Sequence, residues 1–291
     1  MEFVLNSSEI VSIILQTINT IFSNIFSSID NNIYSSLDSL VFIDSSIIHN
    51  SFFEKLLGAN GKNGLLYLAD SMLLGICLFY IVQYYYSHIV NQSIESPGQF
   101  IFKLLVFIFF VNSSYFLFEQ ILSINNFISS SIQSIGKSTL NIDITFSQLI
   151  TTLNKNLIIQ NTDFNMFSLN GLIKSFTSIE LINLTFSYSV RYILLQVLIL
   201  FAPFAILSII NNSTSWIFKS WSKCLFSLLI IQVFVPIVLI VIFCIENNNI
   251  LLVGGIYSLI KLNEYIREMF GGLGIAISAN FSNALSMLKK F

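Results

Sequence analysis

The chain has 291 residues, of which 55% are apolar and only 10% are charged, and its mean hydropathy is +0.80. Soluble domains carry about 25% charged residues, so this composition excludes an ordinary water-soluble fold. It predicts an all-α, polytopic integral membrane protein with about five transmembrane helices and an amphipathic N-terminal helix. The net charge of −2 provides no overall positive field for holding nucleic acid.

Residues 1–64 are predicted to form an extracytoplasmic segment built on an amphipathic helix. Between residues 10 and 40, Ile or Leu recurs every three or four positions, while the other faces carry Ser, Asn, Thr and Gln. This stripe fits a helix that lies in the membrane interface or packs against other helices. Residues 11–29 are long enough for a sixth span, but their polar side chains argue against it.

Two apolar stretches then predict a transmembrane hairpin, residues 65–122, because a bilayer span needs about 20 mostly apolar residues. The stretches are 65–90 and 100–122, and Pro97 turns the chain between them. Residues 123–183 are rich in Ser and Asn. They predict a long extracytoplasmic loop with short amphipathic helices, such as FSQLITTLNKNLII.

The second half of the chain predicts another hairpin, residues 184–245, with spans at 184–210 and 221–245. The last segment, 246–291, contains a weaker fifth span at 250–266 and a cytoplasmic C-terminal part. The weakness comes from its short length and from Lys261 and Glu264 near its end.

Both tryptophans of the chain lie in the stretch WIFKSWSK, between the last two strong spans. Trp prefers the membrane–water interface, and Lys extends towards anionic headgroups. Trp216, Lys219, Trp221 and Lys223 are therefore predicted to anchor a turn at the inner interface; a specific binding site there is the alternative.

The distribution of Lys and Arg predicts the orientation of the chain in a bacterial cytoplasmic membrane. With WIFKSWSK in the cytoplasm, the short inner segments carry most of the basic residues, and the much longer outer segments carry few. By the positive-inside rule, the N-terminus lies outside and the C-terminus inside.

Three of the charged residues within the predicted spans lie towards the outer side: Asp70, Glu119 and Arg191. A charge in lipid costs about 3 kcal/mol unless it is paired or hydrated. Arg191 is expected to pair with one of the two carboxylates. In the alternative, each of the three charged side chains extends alone towards water.

Two prolines, Pro203 and Pro236, lie inside spans and are predicted to kink them, because each removes a backbone donor and frees a carbonyl. Gln196 and Gln232 lie on the same two spans and are candidates for a hydrogen bond between the helices. This arrangement fits a hinge or ordinary membrane packing.

The sequence shows no catalytic, cofactor-binding or metal-binding pattern. His49 and His88 are isolated, and the three cysteines lie in apolar runs without metal-ligand spacing. We therefore expect no catalytic residues, no cofactor and no metal. No ionisable residue lies at the middle of a span, which argues against a proton-coupled transporter.

The stretch VRYILLQVLILFAPFAILSIINNSTSWIFKSWSKCLFSLLIIQ resembles the paired core spans of the TrbL family of conjugal transfer membrane proteins, in the form found in low-GC Gram-positive bacteria. The stretch YYSHIVNQSIESPGQFIFKLLVF is similar to the hairpin that precedes them. The resemblance covers about residues 65–288 and rests on composition rather than on a catalytic signature. The chain lacks the long hydrophilic C-terminal tail of some relatives.

The resemblance implies a channel or scaffold subunit of a conjugative type IV secretion system. It implies assembly with itself and with other secretion subunits among membrane lipids, and passage of DNA, with its relaxase, or of protein across the membrane. The alternatives are a small-molecule transporter or permease, which needs a substrate pocket at mid-depth, and a membrane immunity or toxin-type protein.

Overall fold

The computed structural model describes residues 7–58, 64–90, 95–156, 165–245 and 249–270. Helices make up 87% of it, and the described residues contain no strand, so the predicted all-α class is confirmed. The predicted C-terminal part beyond residue 270 lies outside the described residues. The helices are α1 Ser7–Val41, α2 Ser51–Leu57, α3 Leu65–Val90, α4 Pro97–Asn112, α5 Ser114–Leu140, α6 Phe146–Asn156, α7 Leu169–Leu207, α8 Ser215–Phe243 and α9 Asn249–Met269, with a 3-10 turn at Ser45–Ile47.

Several helix ends are set by local sequence. The side chain of Asn50 accepts a hydrogen bond from the Phe52 backbone N–H and caps α2, which ends at Gly58 with a left-handed φ of 89°. Ser168 caps α7 in the same way, through the Gly171 N–H at 3.1 Å. Pro97 occupies the first turn of α4, where its missing N–H costs nothing.

The larger core lies between α5, α7, α8 and α9, with the C-terminal end of α1 and α6 packed on it. α7 and α8 run antiparallel, since the Trp221 indole donates to the Leu198 carbonyl and Arg191 donates to the Leu228 carbonyl. α5 lies close to α8: a Cβ placed on Gly136 would come within 2.6 Å of Ile240. Glycine at that position permits the close approach of the two helices.

A second, smaller core joins α3 and α4 to the C-terminal end of α7. Its members are buried apolar residues: Ala69, Phe100, Phe107, Val111, Ile206, Leu207 and Ile210. Most of α3 is exposed beyond this seam, and most of its exposed side chains are apolar. A helix with such a surface is suited to a lipid environment.

Among the described residues, four helical segments are long and apolar enough to cross a membrane: Glu9–Ile29 of α1, α3, α7 and α8. Helices α4 and α5 are long and apolar enough to cross a membrane only when they are taken together as one bent span. The predicted number of about five is therefore confirmed, but the set differs from the prediction, because Glu9–Ile29 is included and α9 is not. The last turns of α9 carry Lys261, Glu264, Arg267 and Glu268, and these charges lower its hydropathy.

The predicted span at 100–122 is not one straight helix: α4 ends at Asn112 and α5 begins at Ser114, with a bend of 63° between them. Three short polar residues at 112–114 favour this break. The Asn112 side chain donates to the Ile108 carbonyl at 2.8 Å, and Ser113 caps the end of α4.

The predicted long loop at 123–183 is largely helical. α5 continues to Leu140 and α7 begins at Leu169, so the boundaries drawn at 122/123 and 183/184 fall inside helices. The short amphipathic helix predicted in this region is confirmed as α6, which buries Phe146, Leu149, Ile150 and Leu153. Ser and Asn weaken hydropathy along these stretches but do not prevent helix formation.

The apolar stripe predicted for α1 packs on the core only at its C-terminal end, where Leu37 is buried and Leu40 is half-buried. α1 lies mainly along α7, and Phe26 is buried there, while Ile14, Ile21 and Ile25 of the stripe are exposed. Residues 9–17 are exposed on all sides. The Ile33 side chain lies outside the described residues. The N-terminal half of α1 therefore carries apolar groups that the rest of the described chain does not cover.

Candidate functional site

Arg191 of α7 lies at the point where α1, α7 and α8 meet, and its side chain is 0% exposed. Its Nε donates to the Leu228 carbonyl at 2.9 Å, and its Nη1 donates to the Val41 carbonyl at 3.0 Å. Nη2 makes a longer contact, 3.5 Å, with Oε1 of Gln232. The guanidinium is thus held by oxygens from two other helices, and no carboxylate is among these partners.

The Val41 carbonyl belongs to the last residue of α1, where helical carbonyls have no partner within the helix. A cation at this end also interacts favourably with the helix dipole. Gln232 is fully buried and donates from Nε2 to the Ile43 carbonyl at 2.9 Å. Arg191 and Gln232 together fix the C-terminal end of α1 to the centre of the bundle.

Pro236 adds a third contact to this arrangement. The proline lacks the N–H that would bond to the Gln232 carbonyl, four residues earlier. The hydroxyl of Ser129, on α5, donates to that carbonyl at 3.1 Å. The carbonyl that this proline frees, as the sequence predicts, is therefore satisfied by a neighbouring helix. Pro236 and Pro203 are both buried, and α8 and α7 continue as helices through them.

The predicted cluster of Asp70, Glu119 and Arg191 is not formed in the described part of the chain. Arg191 binds carbonyl oxygens, Glu119 lies 3.3 Å from Nε2 of His49, and Asp70 is exposed on α3. Neither expectation for Arg191 is correct, since it is neither paired with a carboxylate nor extended to water. Backbone carbonyls replace the carboxylate because the end of α1 and the α8 turn at Leu228 supply them at the same place.

The predicted interface anchors divide into two groups. Trp216 is 63% exposed, and Lys219 and Lys223 are exposed beside it. Trp221 is only 9% exposed and packs against Phe118. The anchor interpretation of Trp221 is therefore corrected: its indole N–H donates to the Leu198 carbonyl at 2.8 Å. Five residues along a helix rotate a side chain to a different face, which separates Trp221 from Trp216.

Two polar clusters were missed by the sequence analysis. In the first, Tyr115 Oη contacts Nδ1 of His49 at 2.8 Å and donates to Oε1 of Glu54 at 3.1 Å. His49 also approaches Glu119. These residues come from α2, α5 and the segment before α2. No sequence spacing connects them, so only the fold brings them together.

The second cluster lies where α4 begins, beside the α7–α8 turn. Nζ of Lys103 is 2.7 Å from Oε1 of Glu95 and donates to Oδ1 of Asn212 at 2.7 Å. Lys103 and Glu95 are eight residues apart on the chain, but Asn212 is 109 residues away from Lys103. The signal in the sequence was a lysine one turn and a half after a helix start, which is too common to predict a site.

Arg267 of α9 is the second buried guanidinium. One turn before it, Asn263 donates to the Ser187 hydroxyl at 2.7 Å, and Ser187 lies one turn before Arg191 on α7. Burial lowers the pKa of Arg267, and the nearby Cys224 thiol offsets part of this decrease. Both arginines of the chain are thus inside the bundle, at neighbouring levels of α7 and α9.

The chemistry of these sites is that of packing and positioning. The donors of Arg191 bind protein oxygens, and the described residues hold no group of three His, Cys, Asp or Glu side chains that could hold a metal ion. Comparison of the chain with protein-family models, curated proteins and solved structures finds no match.

Proposed function

We propose that this protein is a channel or scaffold subunit of a conjugative type IV secretion system in a bacterial cytoplasmic membrane. It works by assembling with copies of itself and with other secretion subunits around a path for DNA, with its relaxase, or for protein. The observation that carries the proposal is the contrast within α1. One end of α1 is fixed in the core by Arg191 and Gln232, and the other end is apolar and uncovered.

The position of the uncovered half supports contact with protein rather than with lipid alone. α1 and α7 run parallel, since Met166 N donates to Asn19 at one end and Arg191 donates to Val41 at the other. Counted from Val41 towards the N-terminus of α1, Ile29 lies about 18 Å away, at about 1.5 Å per residue. Val41 is level with Arg191 of α7. Residue 184, where the apolar half of α7 begins, is closer to that level than Ile29 is, so Ile29 lies farther out.

The length of α7 leads to the same conclusion. Its 39 residues extend about 58 Å at 1.5 Å per residue, against about 30 Å for a hydrocarbon core. With residues 184–207 in the bilayer, the first part of α7 and the segment Glu9–Ile29 project beyond it. In this proposal Glu9–Ile29 is therefore not one of the spans, although its length and composition would allow it to cross a membrane. An apolar helix in that position requires a protein partner, and neighbouring copies supply one.

The orientation of the proposal follows the distribution of Lys and Arg, with the projecting part outside and Trp216, Lys219 and Lys223 inside. The resemblance of residues 65–288 to the TrbL family supports the secretion role. A small-molecule transporter is favoured less, because the buried polar groups at Arg191 already bind protein oxygens instead of facing a substrate.

Two experiments test the proposal. Deletion of the gene from its host should lower the transfer frequency of the mobile element, and the wild-type gene should restore it. The double variant Ile14→Asp/Ile21→Asp places two charges on the uncovered face of α1 and should restore neither transfer nor assembly. Unchanged transfer after deletion contradicts the secretion role.

The particle mass in nanodiscs measures assembly directly. The wild type should be oligomeric and Ile14→Asp/Ile21→Asp monomeric, with unchanged helix content by circular dichroism. The matched control is Thr20→Asp/Ser27→Asp, which adds the same charge to exposed positions about a third of a turn away on the same helix. A monomeric wild type, or equal loss of mass in the control, contradicts a specific contact through this face.

A further inference from the structure

A cleft of about 280 Å³ opens between the middle of α3, the start of α4 and the turn that joins α7 to α8. The lining has an apolar part, which includes Ile76, Phe79 and Phe100, and a polar part, which includes Gln83 and Glu95. A site with both an apolar and a polar lining fits an amphiphilic molecule.

The polar part continues into a second opening, which is lined by Glu95, Lys103 and Asn212. The side chains of Lys103 and Glu95 are only 20% and 14% exposed, and their charges cancel. The Glu95 carboxylate would repel a ligand with a net negative charge, and the Lys103 ammonium would repel a ligand with a net positive charge. The pair therefore favours a ligand that is neutral overall and carries both charges.

Hydrogen-bonding capacity remains on Glu95. A carboxylate has about four acceptor positions. Lys103 contacts both oxygens of Glu95, and the amide of Asn212 makes a longer contact at 3.5 Å. An ammonium group with N–H donors can use the remaining position on Glu95. The three donors of Lys103 already contact Glu95 and Asn212, so a phosphate beside Lys103 is attracted by its positive charge and not by a free N–H.

The apolar part of the cleft leads onto the exposed apolar surface of α3. Phe79 of the cleft is exposed, and so are its neighbours Leu78 and Val82. Because α3 is long and apolar enough to cross a membrane, a hydrocarbon chain attached to the bound headgroup would lie along it. This continuity points to a lipid rather than to a water-soluble zwitterion.

We infer that the cleft binds a phospholipid with a zwitterionic headgroup whose ammonium carries N–H donors, as in phosphatidylethanolamine. The ammonium binds Glu95, the phosphate lies on the Lys103 side, and the acyl chains follow Ile76 and Phe79 along α3. Such a lipid would fill the seam between the α3–α4 unit and the end of α7. The inference is independent of the secretion role, since any membrane protein can hold a lipid in this way.

Native mass spectrometry of the full chain in detergent, titrated with short-chain lipids, tests the inference. The probes are dioctanoyl phosphatidylethanolamine, dioctanoyl phosphatidylcholine, which lacks the N–H donors, and anionic dioctanoyl phosphatidylglycerol. Free O-phosphoethanolamine tests whether the headgroup binds without acyl chains. The phosphatidylethanolamine is expected to bind about tenfold more tightly than the other two lipids, as one charge-assisted hydrogen bond provides, and the free headgroup much more weakly.

Two sets of variants connect binding to the cleft. Glu95→Gln/Lys103→Gln should remove the preference among the lipids, while its matched control, Lys137→Gln/Asp143→Asn, should retain it. In the control pair, Nζ of Lys137 lies 2.6 Å from Oδ1 of Asp143 on the surface of the bundle, and the two side chains are 65% and 61% exposed. Gln83→Trp places a bulky ring at a residue that lines the cleft and should abolish binding, whereas Tyr85→Trp, at an exposed position on α3 that does not line the cleft, should not.

Equal binding of all three lipids by the wild type, or binding by Gln83→Trp equal to that of the wild type, would show annular lipid only and would overturn the inference. Tight binding of free O-phosphoethanolamine would overturn the lipid assignment and leave a soluble zwitterion site. If Glu95→Gln/Lys103→Gln fails to fold, the comparison of Gln83→Trp with Tyr85→Trp decides the question.

Discussion

The hydroxyl of Ser129 on α5 donates a hydrogen bond to the backbone carbonyl of Gln232 on α8, at a distance of 3.1 Å. This carbonyl has lost its partner within α8 because residue 236 is proline. The pair thus joins two helices at a defect in one of them, and it lies beside Arg191, which fixes α1 through Val41. The defect and the hydroxyl that satisfies it are 103 residues apart on the chain.

The first prediction is a coupling between Ser129 and Pro236. Ser129→Ala should lower the free energy of unfolding by about 1 kcal/mol, since a buried carbonyl is left without a donor. In the background of Pro236→Ala, which restores the N–H of α8, the same change should cost much less. The measurement is a double-mutant cycle of unfolding in mixed micelles. Additive losses in the two variants would contradict the pairing.

The second prediction concerns the end of α1. Arg191→Met keeps the apolar stem but leaves the Val41 carbonyl at the end of α1 without its donor, at an expected cost of about 1–3 kcal/mol. Hydrogen exchange should increase in residues 36–43. Arg191→Lys should rescue only part of the loss, because one ammonium does not reproduce the planar fork of donors.

The matched control for Arg191 is Lys219→Met, which removes a cation from an exposed position on α8. It should leave hydrogen exchange in residues 36–43 unchanged. Unaltered exchange there in Arg191→Met as well would show that packing alone holds α1 on the bundle.

The third prediction is a pH dependence at Asp38. This carboxyl accepts hydrogen bonds from the N–H groups of Phe146 at 2.9 Å and Ser147 at 3.4 Å, at the start of α6. Burial raises its pKa above the ordinary 3.8, and the two hydrogen bonds lower it by less. Since the folded-state pKa is raised, the protonated form favours folding, and this contribution is lost as the pH rises through the folded-state pKa.

Asp38→Asn removes the charge and keeps an acceptor for α6. At neutral pH the variant should unfold at a higher temperature than the wild type. The difference should shrink as the pH falls towards 3.8, because the wild-type carboxyl then becomes neutral as well. Thermal unfolding of both proteins between pH 7 and pH 4 measures it. A difference that grows as the pH falls would show that the hydrogen bonds outweigh burial.

The fourth prediction is the topology. Ser147 at the start of α6 and Ser220 on α8 are both exposed, so a cysteine at either place is reachable from the aqueous phase on its side. In a background without Cys77, Cys224 and Cys244, an impermeant maleimide added outside intact cells should label Ser147→Cys only. Labelling of Ser220→Cys from outside would reverse the orientation. Lysed cells, in which both should react, provide the control.

The sequence by itself determined the class of the protein and most of its helices. Nearly every residue of an apolar span faces lipid or another helix, so composition alone predicts the spans α3, α7 and α8. The short helix α6 was predicted from its 3.6-residue period, and the freed carbonyl at Pro236 from the missing N–H. These features depend on residues close together in the chain, and a sequence displays them directly.

The tertiary structure alone decided how the polar residues are used. Arg191 was expected to pair with a carboxylate or to extend alone towards water, because sequence reasoning counts charges and does not see which backbone carbonyls lack partners. The end of α1, 150 residues before it, supplies one such carbonyl at Val41. In the same way, Trp221 is a core residue instead of an interface anchor, since the side of α8 that it occupies packs against Phe118 and Leu198. Side-chain period identifies a helix face, but only the packed neighbours decide what that face meets.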